Sequence, residues 1–137
     1  MKRMLLPFVL LAPFVVVAAC GPAMPGEGEG EDEEVTFADI RMEIFQPSCG
    51  CHQGATPQAG LLLDEATELA SVLDTDSPNY TDWKYIIAGD LESSLIYRRI
   101  SGGVEGESIA AMPAGSDGLS STLQELMAGW IEAGVPE

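Results

Sequence analysis

Residues 21–34 read GPAMPGEGEGEDEE, and nothing in that stretch can enter a hydrophobic core. Its six acids repel one another, and its glycines and prolines offer no apolar face, so a disordered tether is expected there. This break leaves residues 35–137 to supply the whole fold. A stretch of that length suffices for one small domain with a lean core.

Ahead of the break lies MKRMLLPFVLLAPFVVVAAC. Lys2 and Arg3 form a basic start, residues 4–19 an apolar run, and Ala18 and Ala19 lead into Cys20. That is the plan of a secretory signal peptide. The run falls short of the roughly 20 apolar residues a spanning helix needs, and Pro7 and Pro13 interrupt it. Val17-Ala18-Ala19-Cys20 resembles the lipobox of bacterial lipoproteins, which implies cleavage after residue 19 and lipidation of Cys20. Several acyl chains on Cys20 suffice for stable anchoring. The expected organisation is a signal at 1–19, a lipidated tether at 20–34 and a domain at 35–137. The protein is expected in the cell envelope, on a membrane and facing the periplasm or exterior.

Charge narrows the partners. The chain holds 22 acids and 6 bases, a formal net charge of −16. Such a chain cannot neutralise phosphate, which excludes nucleic acid. Sixteen acids and four bases lie in residues 35–137, so the excess belongs chiefly to the domain. A protein partner should therefore present a basic docking face and associate in a salt-sensitive way.

Within the domain the patterning is helical. Phe37, Ile40, Ile44 and Phe45 share one face of a helix, with Thr36 and Asp39 at its start and Pro47 at its end. A short helix is expected near 65–72, another from Asp90 through residues 91–100, and a last one over 121–133, capped by Ser121 and Gln124. Met42 and Met127 sit on these helices and are read as core. Residues 74–82 look like a polar turn, and 102–118 form a loop rich in Gly, Ala and Ser. No strand signal stands out. The expected class is all-α, a small helical domain with long loops around a ligand.

Chemistry concentrates at Cys49-Gly50-Cys51-His52, which holds the chain's single histidine. Attachment of c-type haem explains such a cluster in an exported chain: porphyrin vinyls form thioethers with cysteine, and the next histidine ligates iron. One histidine, no nucleophile elbow and no Cys/His pair placed for attack argue against a hydrolase. No enzymatic role and no small-molecule substrate are expected.

The order IFQPSCGCHQG, AGLLLD, IIAGDLESSLIYRRI, AMPAG and LSSTLQELMAGWIEAGVP resembles small exported bacterial c-type cytochromes over about residues 37–136. The resemblance implies a cytochrome c-like fold, covalent haem, electron transfer, His52 as proximal iron ligand and Met112 as distal ligand. Elimination points to Met112 as well. With no second histidine, methionine is the simplest sixth ligand. Of the methionines left outside the signal, the tether and the helices, Met112 alone lies in a glycine-rich loop, beside Pro113. Trp130 and Tyr97 are candidates to flank the porphyrin.

The departure is one residue between the cysteines where the family has two, so that Ser48 stands where the first cysteine normally falls. Several readings stay open on the residues alone. Haem can be held through Cys51 only, or through both Cys49 and Cys51 on a distorted loop. A haem-free alternative is a soft-metal (copper) module built from Cys49, Cys51, His52 and Met112. Another is a structural envelope lipoprotein with a Cys49–Cys51 disulfide.

Overall fold

A computed structural model of the chain describes residues 33–137. The signal peptide, Cys20 lipidation and nearly all of the tether lie outside the described residues. Among those described, no helix is long and apolar enough to cross a membrane.

The chain enters the fold through a capping box. The Thr36 side chain accepts from the Asp39 amide, and Asp39 Oδ2 accepts from the Thr36 amide at 2.8 Å and hydroxyl at 2.7 Å. The hydroxyl and amide of Thr36 hold the Asp39 carboxyl below its ordinary range. Helix α1 (Phe37–Ile40) runs directly into a wider-wound turn, Arg41–Phe45, and then into α2 (Gln46–Ser48). The Gln46 amide bonds Arg41 O, the five-residue step of a π turn. Through this run Phe37, Ile40, Ile44 and Phe45 are all buried, as their spacing requires. Met42 sits on the opposite side at 57% exposure and is not a core residue.

Helix α4 (Ser121–Glu132) closes the other end of the chain. Its N-cap is Ser120, one residue before the expected cap, and the Gln124 amide reaches back to Leu119 O at 2.7 Å. Met127, Trp130 and Ile131 are fully buried. Trp130 stacks on Phe37 with centroids 5.7 Å apart, and Phe37 meets Phe45 edge-on at 6.1 Å. The Trp130 indole donates to Pro136 O, and the Phe37 amide bonds the same carbonyl. The first and last helical segments are thus locked by one aromatic cluster and one shared acceptor.

The all-α expectation is wrong. Helical residues make up 37% of the described residues and extended ones 11%, including an antiparallel sheet. Strand β1 (Asp76–Ser77) pairs with β2 (Tyr80–Lys84), in register Asp76 to Lys84 and Ser77 to Tyr80, with an irregularity between. Lys84 Nζ bridges Asp76 and Asp74 O across this hairpin. The segment read as a polar turn is therefore the hairpin. Its Tyr80, Thr81 and Trp83 are residues that favour strands. They escaped a periodicity reading because exposure along β2 does not alternate. Beyond the sheet, Leu73 and Ile86 bridge in parallel.

Two helical expectations also shrink. Residues 65–72 hold only a single tight turn, Leu69–Ser71. Asp90 does bind the Ser93 amide at 3.0 Å, but the helix α3 proper is Leu95–Ile100, with Ser94 at its N-cap. Ser94 is fully buried. Its hydroxyl takes the Ile87 amide and donates to Asp90 O, which fixes the turn that launches α3.

The long loop 102–118 folds back against α3 through backbone bonds: Gly103 N to Arg98 O, Met112 N to Arg99 O and Leu119 N to Ile100 O. This close return depends on two glycines. Both have positive φ, and a Cβ at Gly103 would strike Ile109 O while one at Gly118 would strike Ile100 O.

Candidate functional site

The end of the first helical run delivers the Cys-Gly-Cys-His cluster. Cys49 N bonds Phe45 O, and a tight turn, Gly50–His52, follows, closed by His52 N to Cys49 O at 2.8 Å. The Gln53 amide ties this turn back to the helix by donating to Phe45 O and Gln46 O. His52 O accepts from Leu63 N at 2.7 Å, so its backbone is held from both directions.

The ring of His52 is oriented as well. Its Nδ1 lies 3.0 Å from Gln58 O. A carbonyl only accepts, so Nδ1 carries the proton and Nε2 keeps its lone pair. This is the arrangement that fixes a ligating histidine's tautomer and ring plane.

The two thiols differ. Both are free, Cys51 exposed and Cys49 half-buried against the core. Burial pushes the Cys49 thiol up to about 11, so it is a neutral S–H at any physiological pH. A neutral thiol is a weak nucleophile. Among the described residues no three His, Cys, Asp or Glu side chains are gathered to hold a metal ion.

What the fold does gather is His52 and Met112. An apolar cavity of about 180 Å³ is walled by residues 48–52, Ile100, Leu119 and the Met112-Pro113-Ala114 turn. Ser48, Cys49, Cys51, His52 and Met112 all face it. A second cavity of about 430 Å³ is walled by Tyr80, Tyr85, Leu95 and Arg99 together with His52 and Met112. Those last two are the residues that border both spaces. The first cavity alone is smaller than the roughly 300–1,000 Å³ of an ordinary ligand pocket, whereas the second falls within that range.

These residues suit haem on three counts. One imidazole presents a free Nε2, one thioether sulfur faces the same spaces, and two thiols line the first of them. Iron held by imidazole and thioether requires these donors and no more.

Trp130 and Tyr97 do not flank this site. Trp130 is wholly enclosed in the Phe37 cluster, and Tyr97 packs half-buried on the core without bordering either cavity. The aromatic walls are instead Tyr80 and Tyr85. Burial raises the Tyr85 phenol, partly opposed by a hydrogen bond with Ser77, so it stays neutral. Tyr80, Tyr85 and Arg99 are the site residues that the sequence reading missed. The strand-forming run Tyr80–Lys84 was the available signal for the hairpin, but nothing local tied it to His52. Compared with family models, curated proteins and solved structures, the chain finds no match, so the reading of this site rests on its own chemistry.

Proposed function

We propose that the protein is an electron-transfer protein that carries c-type haem, with His52 and Met112 as the residues that would ligate its iron. The observation that supports it is the joint placement of those two residues on both cavities, beside Cys49 and Cys51. They are distant in sequence, and the backbone bonds from Met112 N to Arg99 O and from Leu119 N to Ile100 O hold the methionine loop on α3, where both residues border the same spaces.

When bound, haem supplies a one-electron Fe(II)/Fe(III) couple. The chain's residues do the rest. Gln58 O holds the His52 ring in one tautomer and strengthens its Nε2 as a donor. Met112 offers a neutral thioether, a ligand that favours the reduced metal and raises the potential. Cys51, next to His52 and exposed, is the thiol best presented for thioether formation; Cys49, neutral and lining the apolar space, serves as the second where the loop admits it. Ile100 and Leu119 exclude water from the apolar side. In this reading Cys20 carries lipid, and the acidic tether holds the domain off the membrane to meet a partner with a basic face.

The test is a pyridine haemochrome spectrum and an intact mass of protein exported from a host with cytochrome maturation. The expected result is the spectrum of haem held through one or two thioethers, with the mass of one haem added. Colourless protein of unmodified mass overturns the reading. Bound copper in that colourless protein transfers the site to soft-metal binding, and a mass two hydrogen atoms lighter identifies the Cys49–Cys51 disulfide.

A further inference from the structure

The second cavity holds one cation and no carboxylate, in a domain where acids outnumber bases four to one. The domain's other cations are committed elsewhere. Lys84 pairs with Asp76, Arg98 with Glu92, and Arg41 donates to Glu65 O and Thr67 O. Arg99 has no carboxylate partner among the described residues. Its guanidinium lies over the Tyr80 ring at 4.8 Å from the centroid. That stacking satisfies one face of the group and leaves its edge, with the N–H donors, for something else.

The position is also fixed. Arg99 lies on α3, and its carbonyl receives the Met112 amide, so backbone and side chain of one residue serve the same site. Asn79 and Ser77 stand on the same wall and add an amide and a hydroxyl. A half-buried guanidinium without an acid, flanked by neutral donors, is a receptor for a planar anion.

We infer that Arg99, stacked on Tyr80, binds a carboxylate that enters this cavity, with Asn79 beside it as a further donor. The inference rests on the haem reading for its first source of carboxylate, the propionate groups that haem carries. A free carboxylic acid from solution is the second source. Either way one bidentate guanidinium–carboxylate pair forms, and no bond is made or broken.

Two arms separate the sources. In haem-loaded protein, resonance Raman spectra of the propionate bending band are compared for wild type, Arg99→Gln, Arg99→Lys and, as control, Arg98→Gln. The expected result is a band shift in Arg99→Gln, partial recovery in Arg99→Lys and none in Arg98→Gln. Arg99→Gln should also lower the midpoint potential, because a positive charge near the metal favours the reduced form. An unmoved band in Arg99→Gln, with haem still bound, overturns the Arg99 assignment and leaves the haem reading standing. If the protein takes up no haem, the haem reading fails, and the second arm decides Arg99 alone. Acetate is then titrated into the haem-free chain while the Arg99 Nε–H resonance is followed by NMR. A saturable shift, lost in Arg99→Gln, assigns the corner to free carboxylates; an unresponsive Arg99 signal overturns the inference.

Discussion

His52 and Met112 have different tasks, and substitution should separate them. His52→Ala removes the oriented Nε2 and is expected to abolish the low-spin haem spectrum. Met112→Ala keeps the covalent attachment but should lose the sulfur–iron charge-transfer absorption. It should also lower the potential by a sizeable part of the roughly 0.8 V that axial ligation spans. Spectroelectrochemical titration reads both effects. Cys49 allows a test on haem-free protein. Its thiol is raised from 9.0 to about 11 in the fold by burial. Because the folded pKa is the higher one, the associated stability is fully present below pH 9 and is lost as pH rises through about 11. Two units correspond to on the order of 2–3 kcal/mol. Cys49→Ala should flatten that alkaline decline in denaturant midpoint. In alkylation at neutral pH, Cys51 should react well before Cys49.

At the level of elements, the first helical run depends on its entry. Thr36→Ala removes one half of the capping box and should cost about 1 kcal/mol in chemical unfolding. The Asp39 half is legible in pH. Its carboxyl is held low by Thr36, so the stability it adds is present above its ordinary pKa of 3.8 and is lost as pH falls through the lowered value. The methionine loop depends on close backbone approach. Gly118 has φ +111° and its Cβ position is occupied by Ile100 O, backbone that cannot turn away. Gly118→Ala should therefore cost at least about 2 kcal/mol and weaken the Met112 ligand spectrum with it. Gly106→Ala has an equally unfavourable φ of +86° but open space around it, so about 1 kcal/mol and an unchanged spectrum are expected. The pair distinguishes a loop that merely tolerates glycine from one held in place by it.

At the level of the whole molecule, sixteen acids on a small domain set the terms of encounter. The second-order rate of electron exchange with a cationic redox partner, followed by stopped flow, should fall steeply as ionic strength rises. Exchange with an anionic partner should rise under the same change, since screening removes repulsion. Much of the molecule was legible without coordinates. The buried faces of the first and last helices follow from apolar residues recurring at the helical period, and Phe37, Ile44, Met127 and Trp130 all lie inward accordingly. The Cys-His step and the lone loop methionine named the candidate ligands, because iron chemistry restricts donors to a few residue types. The hairpin was not legible, since a short, half-exposed pair of strands leaves no alternation to read. Neither were Arg99 and Tyr80. A guanidinium looks the same in sequence whether it meets a glutamate, as Arg98 does, or an aromatic ring above a cavity. Local periodicity and ligand chemistry are properties of the chain itself. Which residues wall the cavity depends on contacts between distant segments, and only the folded backbone sets those.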